Sequence, residues 1–142
     1  MRLLAFAASA AVLVVTAASA DPIEDRKNIM KERGAQMRVL APIAQGQQPF
    51  DAAAVMTALE ALNANAMATD VEALWPAGSD TGDTKSAPKI WEDMAGFQAA
   101  MEKYKADVAA AVAANPQDLP AFQAVFGPVA SNCGSCHQAF RL

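Results

Sequence analysis

Apolar residues recur along this chain at helical spacing, and nowhere do they alternate with polar ones as a half-buried strand would require. The apolar and alanine-rich runs are broken at a few points by Pro, Gly and Asp, and four helices fit between the breaks. The first opens at Asp21-Pro22-Ile23-Glu24. Asp is a good N-cap, Pro suits the first helical position, and Glu24 stands at the capping-box position. Ile23, Met30 and Met37 repeat at seven-residue spacing and mark one buried stripe. This helix should end before Gly46, with Pro42 kinking its last turn. The second begins after Pro49-Phe50 with Asp51 as cap and runs to about Leu74. Val55, Leu59, Leu62, Ala66 and Val71 form its apolar side, and Trp75-Pro76-Ala77-Gly78 stops it. A polar loop follows from Pro76 to about Ser86. The third opens near Ser86-Ala87-Pro88, carries Ile90, Trp91, Met94, Phe97, Met101, Tyr104 and Val108, and closes at Asn115-Pro116. The fourth starts at Asp118-Leu119-Pro120, carries Phe122, Val125, Phe126 and Val129, and holds Pro128 where it could bend. Three short connections and one moderate loop make sequential helices antiparallel neighbours. The expected fold is all-α, an up-down-up-down four-helix bundle in a single domain without internal repeat.

The first twenty residues read differently. Met1-Arg2 gives a short positive start, Leu3 to Val15 an apolar run, and Ala18-Ser19-Ala20 the small-x-small pattern of a secretory cleavage site. The run is short for a membrane span, which needs roughly 20 apolar residues. Export with cleavage after Ala20 is therefore expected, leaving residues 21–142 and no stable membrane anchor. Of the 11 basic residues only Arg2 leaves with the signal, so ten face 15 acidic ones. An acidic surface repels nucleic-acid phosphates, and the bases are scattered in sequence without a polybasic membrane segment. The expected partners are proteins or small molecules.

Candidate chemistry is concentrated in Asn132-Cys133-Gly134-Ser135-Cys136-His137. A C-x-x-C-H run is the signature of covalent c-type haem attachment. Two thiols at this spacing on a roughly helical backbone match the two haem vinyl groups, and the adjacent His supplies the proximal iron ligand. A disulfide would leave His137 unexplained and would close a loop too small to remove much entropy. A thioredoxin-like pair sits at a helix N-terminus after a strand, whereas here it lies near the end of the last helix. Structural zinc takes four ligands, and the chain has two Cys and one His in total.

A C-terminal C-x-x-C-H on the last helix of a bundle resembles the class II c-type cytochromes, the cytochrome c′ family. The likeness extends to Phe50-Asp51, Leu74-Trp75-Pro76, Ala87-Pro88-Lys89-Ile90-Trp91 and Phe140-Arg141, and so covers essentially the whole chain after the signal. It implies one covalent haem c, held by thioether links to Cys133 and Cys136 with His137 on the iron. Without a second His the sixth iron position falls to a methionine or stays open. Bundle height alone leaves Met30, Met67 and Met94 as candidates, because Met37, Met56 and Met101 lie deeper along their helices. Asn28-Ile29-Met30-Lys31, Gly34, Leu40 and Ile43-Ala44-Gln45-Gly46 resemble the low-spin cytochrome c-556 branch, in which a methionine at the position of Met30 binds iron. Arg26 matches a residue typical of the high-spin branch, whose distal site is open. Trp91, Phe97 and Phe126 are candidate porphyrin contacts, and Arg141 a candidate contact to the haem or a propionate.

Two functions follow as expectations. The first is a periplasmic one-electron carrier with a His/Met-ligated low-spin haem and redox protein partners, without enzymatic chemistry. The second is a high-spin cytochrome c′ whose open iron binds nitric oxide or carbon monoxide. A homodimer through the first two helices is compatible with the pattern and not required by it.

Overall fold

Five aspartates decide where helices begin. The computed structural model describes residues 21–142; the export signal and cleavage site expected over residues 1–20 lie outside them. Asp21 Oδ1 accepts from the Ile23 amide at 2.9 Å and starts α1, Pro22–Ala44. Asp51 caps α2, Ala52–Ala68, through the Ala54 amide. Asp70 caps the single turn α3, Val71–Leu74, and after α4, Lys89–Glu92, Asp93 caps α5, Met94–Ala114. Asp118 caps α6, Leu119–Phe140. Each carboxylate satisfies an amide that the first helical turn leaves free. Gly96 is required beside Asp93, because a Cβ there would stand 2.5 Å from the carboxylate.

The four long helices pack in a closed ring, α1 on α2, α2 on α5, α5 on α6 and α6 back on α1. This is the expected four-helix bundle. Among the described residues there is no strand, only an isolated bridge between Ser86 and Arg141. No helix among them is long and apolar enough to cross a membrane. α1 ends where expected, with Gly46 at φ +70° just beyond it, and both Pro42 and Pro128 lie inside continuous helix.

Two expected helices are interrupted. The second does not run to Leu74: Thr69 is extended, with φ −78° and ψ 103°, and Asp70 restarts the chain as α3. The third is split at Asp93, where φ is −136°. In both places an aspartate inside the apolar pattern offers the backbone a cap in competition with helix continuation.

Leu40, Val55, Leu59, Leu62, Val108, Phe122 and Val129 form the centre of the core. Aromatic side chains collect in two groups. Phe122 packs against Phe50 and Phe126, with centroids at 6.2 and 5.1 Å. Phe97 sits edge-on between Trp75 at 4.8 Å and Phe140 at 5.2 Å, and this second group walls a cavity.

Candidate cofactor site

The cavity opens where the start of α1, the loop after α3, the start of α5 and the end of α6 come level, and its volume is about 450 Å³. That size belongs to the range of small-molecule and cofactor sites. Ile23, Trp75, Ile90, Phe97 and Phe140 make the inner wall apolar. Cys136, His137 and Arg141 enter from α6, and Met30 from α1.

The cysteine motif is held by its own helix and by α5. Asn132 is buried and its Nδ2 donates to Asp107 Oδ2 at 2.7 Å, which locks α6 against α5 just before Cys133. Both thiols are free and half-buried. Cys133 Sγ lies 3.7 Å from the Val129 carbonyl oxygen, away from the cavity lining, while Cys136 is part of that lining. Burial pushes both thiol pKa values up, against a smaller opposing effect of Arg33. A redox dithiol needs the opposite shift, gained at a helix N-terminus, so the surroundings of this pair do not favour thiol–disulfide exchange. His137 is exposed as a residue, yet desolvation by its surroundings lowers its pKa, and Arg141 and Arg33 add to the effect. A neutral imidazole is the form that ligates a metal.

Of the methionines among the described residues, only Met30 lines the cavity, and it is 36% exposed. Met94 is half-buried against the core, and Met67 is 64% exposed beside a separate shallow hollow. Of Met30, Met67 and Met94, Met30 shares a cavity with His137. Phe97 and Arg141 also line this cavity; Trp91 and Phe126 do not. Trp91 Nε1 donates to the Pro76 carbonyl at 3.1 Å and steadies the loop behind the site. Phe126 stacks on Phe122 in the other aromatic group.

Two arginines were not expected at the site from the sequence pattern. Arg26 is only 4% exposed; it donates to Ser79 Oγ at 3.1 Å and Ser79 O at 2.8 Å, and lies over the rings of Trp75 and Trp91. Its Nε is buried at the cavity without a hydrogen-bond partner. Arg33, two turns further along α1, is also turned inward. Their sequence signal is positional: Ile23, Arg26, Met30, Arg33, Met37 and Leu40 follow the three-and-four spacing of one helix face. Charges on that face are exceptions to be explained.

The acidic balance of the chain does not describe the cavity mouth. Arg26, Lys27, Lys31, Lys85 and Arg141 line it against the single carboxylate of Asp83, which pairs with Lys27 at 2.6 Å. Five of the ten cations of residues 21–142 are gathered there from distant segments. An apolar slot with one thiol and an imidazole on its wall, a second thiol three residues back on the same helix, a cationic mouth and an unpartnered guanidinium N–H fits a haem. The flat macrocycle would meet the apolar wall, and its carboxylates the cations.

Comparison with known proteins agrees. The family model described as cytochrome c′ matches residues 21–141. A cytochrome c-556 of Agrobacterium fabrum is 38% identical over 124 residues, spanning 87% of this chain and 83% of that protein. The structure of cytochrome c′ from Rhodopseudomonas palustris superposes with a TM-score of 0.78 at 38% identity, covering 86% of this chain and 96% of that one. A nitric oxide complex of a mutant cytochrome c prime from Alcaligenes xylosoxidans superposes at 0.74 with 29% identity, over 87% of this chain and 94% of that one.

Proposed function

This chain belongs to the cytochrome c′ family and carries one covalent haem c, and from that premise we propose that it is a periplasmic one-electron carrier with His137 and Met30 as its two iron ligands. The observation that carries the reading is the placement of Met30, alone among the methionines of the described residues, on the wall of the cavity that His137 enters. Its resemblance to the c-556 branch points the same way.

When bound, haem supplies the one-electron couple. The chain's residues do the rest. Cys133 and Cys136 would hold the haem through thioether links to its two vinyl groups. His137, whose pKa its surroundings lower, would supply an imidazole nitrogen to the iron, and Met30 would supply its thioether. A thioether ligand favours ferrous iron, and a saturated iron needs little rearrangement when an electron arrives. Ile23, Ile90, Phe97 and Phe140 exclude water from the macrocycle, and Arg26 offers its free N–H to a propionate. Export through the segment before residue 21 places the carrier where c-type haem is attached.

The visible spectrum of the purified haem protein, oxidised and reduced, with and without carbon monoxide, tests the reading. Sharp low-spin bands indifferent to the gas are expected. A broad high-spin ferrous spectrum that shifts at once with carbon monoxide would remove Met30 from the iron and favour gas binding, for which the nitric oxide complex of the Alcaligenes relative is the specific precedent.

The cationic mouth makes redox partners with acidic docking surfaces the suitable class. It also sets the sign of a salt effect. Above about 0.1 M salt the screening length is ~10 Å or less, so a reactant at the mouth senses local charge. Oxidation of the ferrous protein by ferricyanide, an anion, is expected to slow as salt rises through that range in stopped-flow measurements. Acceleration would mean that the net negative charge of the whole molecule governs encounter.

A further inference from the structure

The cysteines stand where the core stripe of α6 would continue. Phe122, Phe126, Val129, Cys133, Cys136 and Phe140 follow one another at alternating steps of four and three. The three residues before the thiols are buried, and so is Phe140, but both thiols are only half-buried. Between Val129 and Phe140, a rise of roughly 16 Å, no apolar side chain of α6 is buried. The one buried side chain in that stretch is Asn132, immediately before Cys133 and 7% exposed.

Asn132 has a partner on the neighbouring helix. Its Nδ2 donates to Asp107 Oδ2 on α5 at 2.7 Å, and Lys103 Nζ donates to the same oxygen at 2.5 Å. The Asn132 carbonyl accepts from Ser135 Oγ at 3.3 Å, and that hydroxyl also donates to the Ser131 carbonyl at 3.1 Å. Among the described residues, the bond to Asp107 is the one side-chain hydrogen bond of the cysteine motif that leaves α6.

Apolar burial is non-directional and tolerates a helix that rolls about its own axis, whereas a hydrogen bond has a direction. In helical assemblies a buried Asn fixes register at some cost in stability. Beside the cysteine motif the cavity stands in place of an apolar core, so packing constrains the roll of α6 least where it matters most. Side chains reach roughly 5–6 Å from a helix axis, and a roll of about 20° carries an imidazole through about 2 Å.

We propose that Asn132 and Asp107 are positioning residues for the haem: their hydrogen bond fixes the roll of α6 and so turns Cys136 and His137 to the cavity. The proposal rests on haem attachment at Cys133 and Cys136 with His137 on the iron, and not on ligation by Met30.

The test compares the haem-loaded full chain, unmodified and with Asn132→Leu or Asp107→Ala, each of which removes one end of the bond. Leu fills the buried site with an apolar side chain of similar shape, and Asp107 is partly exposed, so both variants should fold. Alkylation of the unfolded chains, read by mass, counts thiols that have not joined the haem, and ferric EPR reads the setting of the imidazole on the iron. In both variants the ratio of haem-bearing chains with one free thiol to those with none should rise roughly tenfold, the worth of one hydrogen bond to a charged acceptor. A second set of ferric EPR signals should accompany it. Three controls keep the bond. Asp107→Asn retains an acceptor, Lys103→Ala removes the exposed partner of Asp107, and Val108→Ala loosens the core at the next residue of α5. Each should match the parent in both readings, although Val108→Ala lowers the unfolding temperature. Parent-like thiols and EPR signals in folded Asn132→Leu and Asp107→Ala would overturn the proposal. So would Val108→Ala shifting both readings as far, because lost stability and not lost direction would then be the cause. Failure of the underlying reading looks different: the unmodified protein would show no covalent haem at all.

Discussion

Replacing Met30 with alanine is expected to convert a ferrous haem that ignores carbon monoxide into one that binds it, with apparent affinity rising roughly a hundredfold or more. While the thioether occupies the iron, a gas binds only in the fraction of molecules where it has dissociated. Apparent affinity is reduced by that fraction. An iron open about 1% of the time corresponds to a hundredfold penalty, or about 2.7 kcal/mol, which the substitution removes. Met30 is partly exposed on the cavity wall, outside the fully buried core, so the bundle should survive its truncation. Gas titration of the ferrous variant, followed by the shift of its strongest visible band, reads the effect. Equal titration curves for parent and variant would show that Met30 only lines the pocket.

The second large effect concerns attachment. In the unmodified protein, acidified organic solvent should extract no haem; from a protein with Cys133→Ser and Cys136→Ser together it should extract all of it. Neither thiol carries another polar role: both are free, Cys133 makes one weak contact to its own helix, and Cys136 packs half-buried at the edge of the core, where serine is close in size. Serine at both positions should therefore leave the helical bundle intact while turning a permanent group into an exchangeable one. Thermal stability would then depend on haem concentration, with about 2.7 kcal/mol gained at a hundredfold excess over the dissociation constant. Retention of haem after extraction of the double variant would show that another residue forms the covalent link.

The bundle and the attachment motif were legible in the sequence because both are local. Helical periodicity declares each long helix, aspartate and proline mark the starts, and the cysteine spacing describes its own chemistry. The interruptions at Thr69 and Asp93 were legible in principle. Asp70 and Asp93 are cap residues inside apolar runs, but a cap signal in a run that reads as continuous helix is decided by what its neighbours offer, and Thr69 is wanted by Arg33. Phe126 belongs to the right stripe at another height, in the other aromatic group, while Trp91, next to the lining residue Ile90, turns its ring nitrogen to the Pro76 carbonyl behind the wall. The cationic mouth was beyond reach. Its residues come from both ends of the chain and the loop between, so a count over the sequence sees an acidic protein where tertiary structure gathers cations.

The bridge between Ser86 and Arg141 has a consequence in time. The Ala87 amide donates to the Phe140 carbonyl and the Leu142 amide to that of Lys85, each at 2.9 Å, so the last residues close the cavity against the loop that Arg26 clasps. The cavity is made from the first helix and the last. While the chain is emerging in the order of its synthesis, no enclosed site exists for a cofactor to enter, and the cysteines arrive after almost everything else. Haem must meet either a finished bundle through its mouth or a chain whose two ends have not yet joined.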